Sequence, residues 1–408
     1  PLMALASAAV SAWLAMALFA DLDAPARALA GSVAVLIVAT SFEQLRWLLV
    51  HMADASAQLF SSLTVLLAWL AARRGRRALA LAAGLALGLA YWARHTELAM
   101  AVPALAILAV GGEGRSDRQR LLDGVAFLGA ALLAAVPDLA YHQTLFGSPF
   151  HPESEELELY ALRAVPATTA LLVRSWLAAP ELRYLSPFLV GGALALRRRN
   201  RAAGLALGLW LIAPWAVQAP YASLRLRDLL PSLPALALLA AYGTVAGLQW
   251  LARRRRTAAV GLALLLAALL WLRTGGTLSI PRWRSFDNFG YLWATQRGEF
   301  AGLSALAEED AAIGSTLNSG PIDLYGGRQA FRPAEWRPDE LQRFLRELWA
   351  AGRPVYFLDD GQEMSAVLSS VRQYARLTPV GVLRRIPYFT PDAGSTLRDA
   401  QLYRLEPS

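Results

Sequence analysis

The chain has 408 residues, 56% of them hydrophobic and 17% charged, with a mean hydropathy of +0.37. That composition excludes an ordinary soluble globule and fits a polytopic membrane protein with a soluble part attached. The net charge of +8 is carried by arginine alone, and cysteine is absent. A disulfide framework, a thiolate metal site and a thiol nucleophile are therefore excluded.

Apolar runs of roughly 17–25 residues predict about ten membrane-spanning helices. The first covers about residues 1–20 and the second about 27–42. A polar and aromatic stretch, Glu43 to Asp54, leads to a third at about 55–72. Two spans flank Arg94, and a sixth runs over about 121–142 into YHQTLFGSPFHP. Residues 153–183, with the acidic ESEELE, read as an interfacial region with apolar residues at helical spacing. The last four spans lie at about 184–196, 202–219, 229–251 and 257–272. The chain opens at Pro1 inside an apolar run that lacks a basic leader and a cleavage site, so it does not read as a signal peptide.

RRGRR (73–77), GEGRSDRQR (112–120), RRRNR (197–201) and RRRR (253–256) all fall on one side of this count. The positive-inside rule makes that side cytoplasmic, and short clusters between apolar runs do not read as a nucleic-acid surface. The other side then carries all four histidines, His51, His95, His142 and His151. It also carries Glu43, Asp54, Arg94, Glu97, Asp138 and Arg227. Asp138 and His142 are four apart and share a helical face, as do His51 and Asp54, three apart. YWARHTELAMAVP (Tyr91 to Pro103) places Arg94, His95 and Glu97 in a short polar break between two apolar runs. Ionisable groups at the edge of hydrocarbon mark functional sites, although an interfacial arginine can also snorkel to headgroups. One reading of this set is a polar cavity opening outward, built from several helix ends; the other is a set of ordinary polar loops.

From about Pro281 the polarity becomes that of a globular domain. Strands are predicted at 311–316, 354–359, 378–383 and 400–406, and helices at 338–352 and 361–375. The alternation predicts a small α/β domain with a partly parallel sheet. Asp359 and Asp360 sit at the carboxyl end of a strand, where such sheets bind ligands, but the favoured expectation is that they cap the next helix. The domain division is placed at 1–278 and 279–408.

No GxxxxGK[ST], HExxH or GxSxG is present, and no GxGxxG follows a strand. No cofactor is expected. A divalent metal is compatible with the outer His/Asp/Glu set, but the spacings are not diagnostic and the chemistry does not require one.

Several stretches resemble bacterial members of the GT-C superfamily of membrane glycosyltransferases, in the branch of protein O-mannosyltransferases and the lipid A aminoarabinose transferase. HMADASAQLFSSL is similar to that family's helix opened by an acidic residue, with Asp54 in its place. GLALGLAYWARHTELAMAVPAL, YHQTLFGSPFHP and RLRDLLPSLPALALLAA resemble its Gly-rich helix and Arg, its FGsP turn, and its RYllPllPalall helix. Asp228 stands where an aromatic residue is usual. IDLYGGR and LYRL resemble elements of its extracytoplasmic α/β domain.

The resemblance implies an α-helical polytopic protein of the bacterial inner membrane with a carboxy-terminal extracytoplasmic α/β domain. It implies transfer of a hexosyl or pentosyl group from a polyprenyl-phosphate sugar, on the outer face, to an acceptor lipid, polysaccharide or protein. Membrane lipid is a partner and nucleic acid is not. Arg94 and Arg227 are placed to hold the lipid phosphate. Asp54 becomes a second carboxylate, with a helix N-cap as its structural alternative. Glu97, His51, Asp138 and His142 line the substrate site. The family's principal base lies in a first outer loop, so the first span and that loop are expected upstream of Pro1. A polytopic transporter or lipid flippase with an outward polar cavity is the alternative function. A non-catalytic envelope protein, whose α/β tail binds a partner, is a third.

Overall fold

The computed structural model describes residues 2–47, 53–112, 114–149, 159–178, 183–277, 292–390 and 394–407. The chain divides into two compact units, Pro1–Arg284 and Ser285–Ser408, each with its own core.

The first unit is helical. It opens with α1 (Leu2–Leu18), α2 (Ala24–Ala39) and the short α3 (Phe42–Trp47). Asp23 starts α2 by accepting from the Ala26 amide at 2.9 Å. Next come α4 (Asp54–Arg74) and α5 (Arg77–Ala93), antiparallel across a left-handed Gly75. A 3-10 segment, His95–Met100, enters α6 (Ala101–Val110). The long α7 (Asp117–Phe146) begins in a Ser116–Gln119 capping box. It ends at Gly147, whose φ of 71° supplies the left-handed turn of the FGSP stretch. Helix α8 (Val165–Ala178) is followed by α9 (Ser186–Arg199) and α10 (Arg201–Gln218). A second 3-10 segment, Leu226–Ser232, enters α11 (Leu233–Arg254), and α12 is Arg256–Thr277.

Among the described residues, four helical stretches are long and apolar enough to cross a membrane: Asp54–Arg74, Asp117–Phe146, Leu226–Arg254 and Arg256–Gly276. Leu2–Leu18, Ala24–Ala39, Arg77–Ala93 and His95–Val110 are apolar but shorter. The chain is a multi-pass membrane protein. Burial differs sharply among the long helices. Helix α11 is enclosed on nearly all sides, whereas α7 and α12 expose Leu128, Leu132, Leu133, Leu264 and Leu265. A helix that keeps leucines outside in a protein of this composition presents them to lipid.

One close crossing explains two glycines in the apolar runs. A Cβ on Gly84 would lie 2.1 Å from the Phe127 carbonyl oxygen, and one on Gly88 would lie 2.3 Å from the Ala134 Cβ. Helix α5 therefore meets α7 almost backbone to backbone, the small-residue packing of membrane helices. The register carries through both ends. Arg77 and Arg115 pair with Asp123 at one end, and Tyr91 donates to Asp138 at 2.9 Å at the other.

The second unit is built on a five-stranded mixed sheet. Helix α13 (Ala294–Ala301) precedes β1 (Ala312–Gly314), and α14 (Ser319–Gly326) leads to β2 (Gln329–Phe331). Helix α15 (Pro338–Ala350) leads to β3 (Val355–Leu358), and α16 (Gln362–Val371) leads to β4 (Ala375–Thr390) and β5 (Gly394–Pro407). Strands β2, β1 and β3 are parallel, and β5 and β4 add antiparallel. Every residue of β1 and β3 is buried, as expected of strands covered on both faces. Tyr356 and Leu358 join Phe300 and Ile322 on one face; Val355 and Phe357 join Leu345 and Leu368 on the other.

The Asp359–Asp360 pair departs from expectation. Gly361 occupies the N-cap of α16, and no side chain caps that helix. Asp360 is instead fully buried, accepting from the Thr316 amide at 2.9 Å and from Asn318 Nδ2 at 2.8 Å. It ties the end of β3 to the loop after β1. Asp359 accepts from Ser365 Oγ at 2.7 Å.

Candidate active site

The start of α4, the end of α5 and the entry to α11 converge on one side chain, Arg94. Its Nη1 donates to Asp54 Oδ1 at 2.6 Å and its Nη2 to Asp228 Oδ1 at 2.9 Å. Arg94 sits where α5 stops, in extended backbone (φ −156°, ψ 121°), before the 3-10 segment begins. Asp54 is the first residue of α4 but not its cap: Ala53 holds the N-cap position and no side chain caps there. The N-cap alternative for Asp54 is therefore not realised, and its carboxylate goes to the guanidinium. Asp228 uses its other oxygen to accept from the Arg225 amide at 2.8 Å, which fixes the 3-10 entry to α11.

The arrangement sets one guanidinium between two carboxylates and is mostly withdrawn from water. Asp54 and Asp228 are buried, and the Arg94 side chain keeps 20% of its surface. A charge-assisted fork of this kind is strong and directional, and it leaves a cation partly open to a further anion. Arg227 follows on the same 3-10 segment, half-buried and within electrostatic range of Asp54, Asp228 and Arg94. Glu97 is buried and accepts from Ser61 Oγ of α4 at 2.7 Å. Gln218, the last residue of α10, donates to Thr96 at 3.2 Å and anchors the same segment.

Asp138 and His142 form a second group with His95 rather than joining the Arg94 cluster by a direct contact. His95 Nε2 lies 3.5 Å and His142 Nε2 3.9 Å from the Asp138 carboxylate. His51 and His151 lie outside the described residues. The structure thus gathers Asp54 and Arg94 directly, sets Glu97 and Arg227 around them, and separates off Asp138 and His142. Sequence reasoning missed Asp228 as a partner of Arg94, and also Ser61 and Tyr91. The signal for Asp228 was present: an acid at the entry to an apolar run, beside an arginine.

The fold is similar to that of several solved transferases, at 13–15% identity. ArnT from Cupriavidus metallidurans, solved bound to undecaprenyl phosphate, superposes with a TM-score of 0.58 at 15% identity, over 99% of this chain and 82% of that one. An oligosaccharyltransferase from Archaeoglobus fulgidus gives 0.54 at 13% identity, over 98% of this chain and 62% of the other. The arabinofuranosyltransferase AftD from Mycobacteria gives 0.56 at 14% identity, over 98% of this chain and 33% of the other. No family model and no curated protein matches the sequence.

Proposed function

We propose that this protein is a membrane glycosyltransferase that takes a sugar from a polyprenyl-phosphate donor, and that Arg94 receives the donor's phosphate. The observation that carries this reading is the Arg94 fork. It is a pre-oriented, partly open guanidinium at the meeting point of three helix ends, in a chain with the GT-C fold. The undecaprenyl phosphate bound to ArnT supports the carrier class.

In the transfer, the acceptor oxygen attacks the anomeric carbon and the bond from that carbon to the phosphate oxygen breaks. The acceptor's proton passes to a carboxylate, and the lipid phosphate leaves with the bonding pair. Negative charge grows on the phosphate, so a fixed guanidinium is worth more in the transition state than in the ground state. Arg227 adds a second cation. Asp54 and Asp228 position Arg94, and Glu97 with Ser61 offers polar contacts for a sugar hydroxyl.

The arginine clusters end α4, α9 and α11, at the opposite ends of the chain's helices from Asp54 and Asp228. By the positive-inside rule this supports transfer on the outer face of the bacterial inner membrane, with the α/β unit extracytoplasmic, in the cell envelope. The sugar is hexosyl or pentosyl, and the acceptor a lipid, polysaccharide or protein. The transporter or flippase alternative is not favoured, because the structural neighbours are glycosyltransferases.

The test is sugar release from a panel of undecaprenyl-phosphate-linked sugars by the full chain in detergent. Arg94→Ala should lower kcat/KM by about 10²–10³, the usual loss for one oxyanion-stabilising donor. Arg94→Lys, which keeps the charge but loses the fork, should fall between that and the parent. Binding of undecaprenyl phosphate that is unchanged in a folded Arg94→Ala protein would overturn the assignment.

A further inference from the structure

We propose that His95, Asp138 and His142 form a binding site for one divalent transition ion of the zinc class. Their ligand atoms all lie within 4.8 Å of one another. The separations of Asp138 from the two imidazoles, 3.5 and 3.9 Å, are longer than hydrogen bonds. His95 faces Asp138 Oδ2 and His142 faces Oδ1, so on an ion the groups would draw in to the roughly 3.3 Å that separates two ligands held about 2.0–2.1 Å from a tetrahedral centre.

The fold builds the cluster rather than leaving it to loops. Asp138 and His142 lie one turn apart on α7, and His95 opens the 3-10 segment after α5. The Gly84–Gly88 crossing sets the spacing of the two elements. Trp92 donates to the Ala134 carbonyl at 2.9 Å and locks the register just below the cluster. Tyr91 donates to Asp138 Oδ2 at 2.9 Å, an outer partner that orients a carboxylate ligand. Aromatic rings flank the imidazoles, Tyr91 at 4.7 Å from His95 and Phe146 at 5.5 Å from His142.

Two imidazoles and one carboxylate suit a borderline acid such as zinc better than magnesium, which takes oxygen ligands and keeps its water. Three protein ligands leave a fourth position for water or another oxygen ligand. His142 is buried, whereas the His95 side chain is about half exposed, which gives the ion a route in.

The experiment uses the full chain in detergent, purified without a histidine tag, stripped with chelator and titrated with zinc, cobalt or magnesium. Metal content is counted by mass spectrometry, and cobalt absorption reports coordination. One zinc per chain is expected, with a tetrahedral cobalt spectrum and no competition from magnesium. Tyr91→Phe should weaken zinc about 10–100-fold. His142→Ala and His95→Ala should weaken it more. Because His95 is half exposed, its replacement leaves the packing intact and a folded protein to measure. Sub-stoichiometric zinc in the parent, displacement by magnesium, or zinc affinity unmoved in His95→Ala would each overturn the site. The readout needs no sugar transfer, so its failure is separate from failure of the glycosyltransferase reading.

Discussion

Asp360 is a buried carboxyl that pairs with no cation among the described residues, and its behaviour differs from that of a paired acid. Burial pushes its pKa up to about 6 from 3.8, against the pull of the hydrogen bonds from Thr316 and Asn318. Below about pH 4 the folded and unfolded states both hold the proton, and the contribution to stability is complete. Between about 4 and 6 only the folded state holds it, so stability falls as pH rises, by about 1.4 kcal/mol per unit and about 3 kcal/mol in all. Above about 6 the contribution is flat. Asp360→Asn should remove this slope, read as the parent-minus-variant difference in amide-exchange protection of β1 and β3. Parallel curves from pH 4 to 7 would show that Asp360 does not titrate there. At this scale the sequence revealed residue types but not partners. Asp54 and Arg94 stood out because ionisable groups are rare in apolar surroundings. Their bond spans 40 positions and Asp228 is 134 from Arg94, a pairing that no local spacing encodes.

Helix α5 shows how an element delivers side chains it does not itself explain. Gly88→Leu would place a branched side chain where a single Cβ already meets Ala134, and overpacking of this kind costs about 1–3 kcal/mol. The variant should unfold at lower temperature and lose the Tyr91–Asp138 contact, weakening zinc with it. Gly129→Leu on α7, where a Cβ meets nothing within 4 Å, should leave both unchanged. Equal effects from the two variants would remove the glycine seam as the cause. The periodic helices of the α/β unit were legible because their faces differ: α15 buries Leu341, Leu345 and Leu348 on one side. The three-residue β2 carries too few positions for an alternation, and it was missed. Strands β4 and β5 extend well beyond the apolar runs that announced them, because hairpin pairing also recruits polar residues such as Arg376 and Glu406.

At the scale of the molecule, each unit closes its own core. Residues 285–408 expressed alone should therefore unfold in one cooperative calorimetric transition. A gradual, heatless melt would show that the sheet depends on the helical unit. Along the sequence, apolar composition changes abruptly near Pro281. The convergence of three helix ends was not legible, because alanine- and leucine-rich runs look alike on every face. That convergence has a further consequence on the proposed role of Arg94. Asp54 and Asp228 already hold Arg94, so an incoming phosphate would have to meet its open edge, and the same two contacts fasten α4 and α11 to α5. Substrate occupancy and helix fastening then draw on one guanidinium. A carrier seated there would be felt at once by the contacts that hold three helix ends together.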